Sequence, residues 1–311
     1  YRLLCTGQHV DIASDPDVNP CVIVSEEHWE NAKNSSNRLD NIFSSCLSLP
    51  DYILEDVDYV MVQGDTSSAA ALALMAFHRK IPVIHLEAGL RTYDFNNPYP
   101  EEANRRFISS IASIHLCPTF CNVFNLQREK VPGTYHHVGN TAIDGIIKYK
   151  SLCSYEDRVL VTLHRRENHE RMREWFEAVD AIAKGADAEF ILPLHPNPNV
   201  TKHRDVLKYV KVIDPLSHED LIKHLISCKV VITDSGGIQE ECSLFNKRCL
   251  VCREFTERGE AVGSSTAMVP DPEFLAVAFR KAWEDYAFDE ECPFGDGTAS
   301  KQICNILEDL V

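Results

Sequence analysis

Three carboxylates, Glu87, Glu101 and Glu102, lie on one stretch that leaves the apolar run ending at Leu86 and passes through Gly89, Arg91 and Pro98-Tyr99-Pro100. A fourth, Asp65, follows the run Tyr59-Val60-Met61-Val62 and Gly64. Carboxylates collected at such positions suit general acid–base work, one taking a proton and another returning it. His164, followed by Arg165-Arg166-Glu167, adds a side chain that titrates near neutral pH. Farther on, Ser235-Gly236-Gly237 precedes a helical pattern. Glycines there let backbone approach an anion, a helix N-terminus supplies unpaired N–H groups, and Ser235 offers a hydroxyl donor. The next residues, Gln239-Glu240-Glu241, include a carboxylate placed to accept both hydroxyls of a ribose. Each reading has an ordinary counterpart. Ser-Gly-Gly also makes a plain tight turn, a lone His is usually structural, and a Glu pair usually faces solvent, the reading preferred for Glu102.

The elements that must position these groups alternate between short apolar strands and amphipathic helices, which implies parallel sheets. Residues 59–62 form a strand, Ala69 to His78 a helix and Pro82 to Leu86 the next strand. Asp65 and Glu87 therefore follow strand C-terminal ends, the edge where open α/β sheets bind ligands. The second half repeats the design. Val159 to Leu163 is a strand delivering His164, and Met172, Trp175, Phe176, Val179, Ile182 and Ala183 follow helical spacing up to Gly185. Phe190 to Leu192 is a strand, Ser217 with Asp220 forms a capping box, and Val230 to Thr233 runs into Asp234-Ser235-Gly236-Gly237. Apolar periodicity lapses at residues 148–155. The expectation is an α/β protein of two doubly wound domains, 1–150 and 151–311, facing each other across a cleft.

The chain has 311 residues, 44% of them hydrophobic, enough for two cores of ordinary size. A net charge of −16 argues against a nucleic-acid partner, though local arginines can still hold a phosphate. No apolar run is long enough for a membrane helix, and no signal peptide is read at the start. Of twelve cysteines, Cys249 and Cys252 have zinc-like spacing, but no second such pair exists. Both fall in a strand-like segment, where Cys acts as a small hydrophobe, so reduced thiols in a cytoplasmic protein are expected.

Several ordered motifs resemble the non-hydrolysing UDP-N-acetylglucosamine 2-epimerases. They are Gln-Gly-Asp-Thr at 63–66, His-Leu-Glu-Ala-Gly-Leu-Arg-Thr at 85–92, Pro-Glu-Glu-Ala-Asn-Arg at 100–105 and Val-Gly-Asn-Thr-Ala-Ile-Asp at 138–144. Further along come His-Arg-Arg-Glu-Asn at 164–168, His-Pro-Asn-Pro-Asn at 195–199, Thr-Asp-Ser-Gly-Gly-Ile-Gln-Glu-Glu at 233–241, Thr-Glu-Arg-Gly-Glu-Ala at 256–261 and Pro-Phe-Gly-Asp-Gly-Thr-Ala-Ser at 293–300. The resemblance implies two Rossmann-like domains of the glycosyltransferase-B kind, a last helix crossing back to the first domain, and a homodimer. It implies interconversion of UDP-N-acetylglucosamine and UDP-N-acetylmannosamine through 2-acetamidoglucal, with no cofactor and no metal. By motif position, Asp65, Glu87, Glu101 and His164 are the catalytic candidates. Ser235, Gly236 and Gly237 would hold the diphosphate, Glu241 the ribose, and Arg258 and Arg91 would also contact substrate. The same site would serve another UDP-2-acetamido sugar, such as a 6-deoxy-L-hexose; a glycosyltransferase or an inactive UDP-sugar binder fits less well, given the intact carboxylates.

The sequence departs from the family in two places. A Rossmann-like domain opens on its own strand and phosphate loop, whereas this chain opens on Tyr1-Arg2-Leu3-Leu4-Cys5. One βα unit of roughly 20–30 residues is therefore expected before Tyr1. The stretch that contributes to a second, activating UDP-sugar site in bacterial members reads Gln8-His9-Val10-Asp11 here.

Overall fold

A computed structural model describes residues 4–5, 22–23, 43–44 and 46–310. Residues Gln8 to Asp11 lie outside that description, as does the expectation of a unit before Tyr1. Two-residue strands β1 (Leu4–Cys5) and β2 (Val22–Ile23) pair in parallel. The chain divides into two compact units, Tyr1–His137 and Val138–Val311.

In the first unit a parallel sheet runs in the order β3 (Val60–Gln63), β4 (Val83–Leu86), β5 (Ile114–Cys117), β6 (Thr134–His137). Helix α1 (Ser67–His78) links β3 to β4, α2 (Glu101–Ile111) precedes β5, and α3 (Phe120–Arg128) precedes β6. The Thr66 hydroxyl accepts from Ala69 N–H and starts α1. Buried alanines 69, 70, 73 and 76 give α1 a thin face, which packs with Val62, Val83, Ile108 and Ala112. His85 and His115 are neighbours across β4 and β5, and both are fully buried. Each ring donates from Nε2 to a carbonyl, Gly64 at 2.8 Å and Pro132 at 2.9 Å.

Burial pushes His85 down to about 4. The folded unit thus holds His85 neutral where the unfolded chain would bind a proton. This contribution to stability is complete above pH 6.5 and declines as pH falls from there toward 4. The midpoint of urea unfolding is expected to drop between pH 7.5 and pH 5, and to drop less in His85→Gln, which keeps a donor but does not titrate. Equal drops in the two proteins would show that His85 contributes nothing to the acid sensitivity.

The second unit opens with α4 (Thr141–Ile146) and carries a six-stranded parallel sheet. Its strands are β7 (Arg158–Thr162), β8 (Glu189–Pro193), β9 (Lys211–Ile213), β10 (Val230–Thr233), β11 (Arg248–Val251) and β12 (Thr266–Met268). The spatial order is β12-β11-β10-β7-β8-β9. The first strand in sequence, β7, lies beside the fourth, β10, so the winding reverses direction between them. Side chains alternate across the sheet, and both faces are buried. Val159, Val161, Val230 and Ile232 pack with Trp175, Phe176 and Val179 of α5 (Met172–Gly185). Leu160, Val231 and Cys249 face the other way, against Ile222, Leu225 and Ile226 of α6 (His218–Ser227) and Ile238 and Cys242 of α7 (Gly236–Leu244). Burial on both faces explains the continuous apolar runs of these strands. Helix α8 (Leu275–Glu284) covers the α5 face through Leu275 and Phe279. Helix α9 (Ala299–Glu308) is fastened to α4, where Asp144 accepts from the N–H groups of Ala299 and Ser300.

The division comes before α4, not at the lapse of periodicity at residues 148–155, because Ile143 and Ile146 belong to the core of the second unit. Among the described residues no helix is long and apolar enough to cross a membrane. Cys249 and Cys252 are buried free thiols on opposite faces of the sheet, Cys249 packing with Cys242 and Cys252 with Leu250 and Val269.

Candidate functional site

In the first unit Asp65 and Glu87 follow β3 and β4, and Glu101 opens α2. Helix α2 reaches Asp65 from one turn beyond Glu101. The Asn104 amide donates to the Asp65 carbonyl at 2.9 Å, and the Arg105 guanidinium donates to the Asp65 carboxylate from Nε at 3.1 Å and from Nη2. Glu87 holds left-handed backbone at φ 61, a conformation that costs a non-glycine residue free energy and concentrates at functional sites. Its carboxylate lies against Gly64, where a methyl group would meet Oε2 at 3.4 Å. Glu101 is partly exposed, yet its Oε2 is buried and accepts no hydrogen bond among the described residues.

One expectation for this region is corrected. Glu102 does not face solvent; it is wholly buried, accepts from the N–H groups of Thr92 and Tyr93, and pairs with Arg105 at 3.1 Å. It fastens the loop after β4 to α2. Arg91 has a fully buried side chain. Nε and Nη2 donate to Glu129, Nη2 also to Ser109 and Nη1 to the Leu90 carbonyl, so the guanidinium is committed to holding this loop against α2 and the end of α3.

In the second unit His164 and Asp234-Ser235-Gly236-Gly237 follow β7 and β10, at the reversal of winding. That is where a doubly wound sheet opens a crevice for ligands. Asp234 organises it. Its wholly buried carboxylate accepts from the backbone N–H groups of His164 and Arg165 at 3.0 and 2.9 Å and from the Asn168 amide at 3.0 Å. The His164 ring lies 3.5 Å from that carboxylate through Nδ1 and stacks on His195, centroids 5.1 Å apart. Burial lowers the pKa of His164, and His195 and Arg165 push the same way against the pull of Asp234. The imidazole is thereby biased toward its neutral form.

Helix α7 begins at Gly236 with Ser235 as its N-cap, and the Ser235 side chain makes no capping bond. First-turn N–H groups of such a helix have no intrahelical acceptor and attract anions. Arg258 lies directly on this end, since a methyl group at Gly236 would come 2.6 Å from its Nη1. The guanidinium is held by Glu240, which accepts from Nε at 2.6 Å, and by Glu257. Glu240 in turn accepts from the Asn140 amide at 2.6 Å. Nothing stands within 4 Å of a methyl group at Gly237 among the described residues, which leaves its backbone open to a ligand.

A cavity of about 280 Å³ occupies this end of the sheet. His164, Ser235, Gly237 and Glu241 line it beside apolar Pro215, Leu216 and Leu221. Glu241 accepts from His218 Nε2 at 2.8 Å through Oε1, which raises the pKa of His218. The second oxygen of Glu241 is buried and unbonded among the described residues. Anion donors at one end, a carboxylate beyond them and an apolar wall suit a nucleoside diphosphate. Asp234, Arg105, Asn168 and His218 were missed as functional residues by sequence reasoning; for Asp234 the signal was its place at the end of β10, immediately before the Ser-Gly-Gly turn. Among the described residues no group of three or more His, Cys, Asp or Glu side chains is arranged to hold a metal ion.

The sequence matches the family model described as UDP-N-acetylglucosamine 2-epimerase over residues 1–308. It is 35% identical to the UDP-N-acetylglucosamine 2-epimerase of Campylobacter jejuni, across 99% of this chain and 89% of that protein. It is also 35% identical to the enzyme of that name from Neisseria meningitidis serogroup A, across 98% and 91%. A crystal structure of UDP-GlcNAc 2-epimerase from Neisseria meningitidis bound to UDP-GlcNAc superposes with a TM-score of 0.86 at 32% identity, covering 99% of this chain and 91% of that one.

Proposed function

The chain belongs to the UDP-N-acetylglucosamine 2-epimerase family, and from that premise we propose that it interconverts UDP-N-acetylglucosamine and UDP-N-acetylmannosamine without hydrolysing them. The observation that carries this reading is the cavity where the winding reverses, which gathers Ser235, Gly237 and Glu241 in one wall. Its parts fit the parts of UDP. The α7 N-terminus and Arg258 take the diphosphate, Glu241 the ribose hydroxyls, and the apolar residues the base.

Carbon 2 of the sugar is weakly acidic, so its C–H bond breaks only as the C1–O bond to UDP breaks. A carboxylate takes the proton, the C–H electron pair becomes the C1–C2 double bond of 2-acetamidoglucal, and UDP leaves with the C–O pair. A proton then returns to the other face of carbon 2, and a diphosphate oxygen attacks carbon 1. Interactions that stabilise negative charge growing on the leaving diphosphate speed this step, because they are stronger in the transition state than in the bound substrate. That is the work assigned to Gly236, Gly237, Ser235 and Arg258. Asp65, Glu87 and Glu101 supply proton transfer, and His164, biased to its neutral form, donates or accepts a proton beside the diphosphate.

UDP-N-acetylglucosamine incubated with the enzyme in deuterium oxide is expected to acquire deuterium at carbon 2 in both epimers, read by NMR. Epimer lacking deuterium would exclude proton exchange with solvent. Absence of epimer, with turnover of another UDP-2-acetamido sugar in the same assay, would move the assignment to that sugar.

A further inference from the structure

Resting on the nucleotide reading above, the His218–Glu241 pair points to a further residue in UDP recognition. Glu241 lies within α7 and His218 is the first residue of α6. Their side chains meet at 2.8 Å in the wall of the same cavity. The pair is lopsided: the His218 side chain is 62% exposed and that of Glu241 only 11%. One oxygen of Glu241 is satisfied by His218, and the other is buried without a hydrogen-bond partner among the described residues.

The pair is poorly explained as support for either helix. A cation at the first position of α6 opposes the helix dipole, while Glu219 and Asp220 already supply favourable charge there and Ser217 caps the helix. Leaving a buried carboxylate oxygen unbonded costs free energy that a ligand donor would recover. A carboxylate with one oxygen pinned has lost its torsional freedom, so the other oxygen is already aimed when a donor arrives.

We propose that His218 is a positioning residue for the nucleotide: by donating from Nε2 to Oε1 of Glu241 it fixes that carboxylate so that Oε2 accepts the hydroxyls of the ribose. His218 itself need not touch the ligand. Its contribution passes through Glu241 and is therefore confined to ligands that carry a ribose diol.

The test is titration calorimetry of the full chain with UDP and with 2′,3′-dideoxy-UDP. His218→Ala is expected to weaken UDP about tenfold, the size of one well-placed hydrogen bond to a charged group, and to leave the already weaker dideoxy nucleotide unchanged. His218→Gln, which donates from the same side without carrying charge, is expected to restore most of the UDP affinity. In turnover, KM for the UDP-sugar should rise in His218→Ala by more than kcat falls. Equal weakening of both nucleotides would overturn the proposal and place His218 on the base or diphosphate. No weakening of either would overturn it as well, as would failure of His218→Gln to restore UDP binding. Absence of UDP binding by the unmodified protein would instead sink the nucleotide reading itself.

Discussion

Glu101→Gln is expected to lower kcat by about 10²-fold or more while changing KM far less, the size typical of a lost proton-transfer group. Glu101 stands at the first position of α2, and its Oε2 is withdrawn from water with no donor among the described residues. No protein donor among the described residues competes for that oxygen, so it is left open to receive a proton from the substrate. Glutamine matches it in shape and cannot. The fold should tolerate the change, since one negative charge lost from a helix N-terminus is worth only about 0.3–1 kcal/mol. Asp65→Asn should be comparably damaging, but its interpretation differs. Asp65 already anchors Arg105 through an ion pair, so the variant loses both a carboxylate and the position of α2. Solvent exchange at carbon 2 separates the two effects. A lost base abolishes exchange and epimerisation together, whereas a displaced helix also raises KM. Near-wild-type kcat in Glu101→Gln would remove Glu101 from the mechanism.

The places of these two carboxylates in the fold could be read from sequence because they depend on local rules. A β-branched run ending at Gly64 puts Asp65 at a strand terminus, and a Pro-Glu-Glu start opens a helix. The same held for β10, whose run into Ser-Gly-Gly marks both a strand end and a helix start. The second sheet was legible wherever strands are buried on both faces. Edge strands β6, β9 and β12 were not: β6 reads Thr-Tyr-His-His, and an edge strand with little apolar surface to hide has no apolar run to show. Glu102 was misread, and the protein partners of Arg91 went unseen, for a different reason. Arg91 meets Glu129, and Glu102 meets the amides of Thr92 and Tyr93, through turns of the loop that no local pattern encodes. His218 was hidden likewise. Ser217 announces the helix cap, but the partner of His218 lies on the next helix.

Asp234→Ala is expected to cost about 3–5 kcal/mol of stability, the range for stripping one partner from a buried charged cluster. The Asp234 side chain is wholly buried at the reversal of winding and holds three donors, the N–H groups of His164 and Arg165 and the amide of Asn168. Removing the carboxylate leaves all three in a space too dry to satisfy them, and each orphaned donor costs about 1–3 kcal/mol before the loop relaxes. The damage would reach the cavity, because the same carboxylate fixes the backbone from which the His164 ring projects and is the charge that opposes the lowering of its pKa. In Asp234→Asn the pocket is filled and one acceptor remains, so a smaller loss of stability is expected together with a His164 that is harder to protonate. Guanidinium unfolding of the three proteins measures the first effect, and the imidazole resonance of His164 followed by NMR against pH measures the second. A loss under 1 kcal/mol in Asp234→Ala would mean that the three donors find other acceptors, and that the end of β7 is held by something other than Asp234.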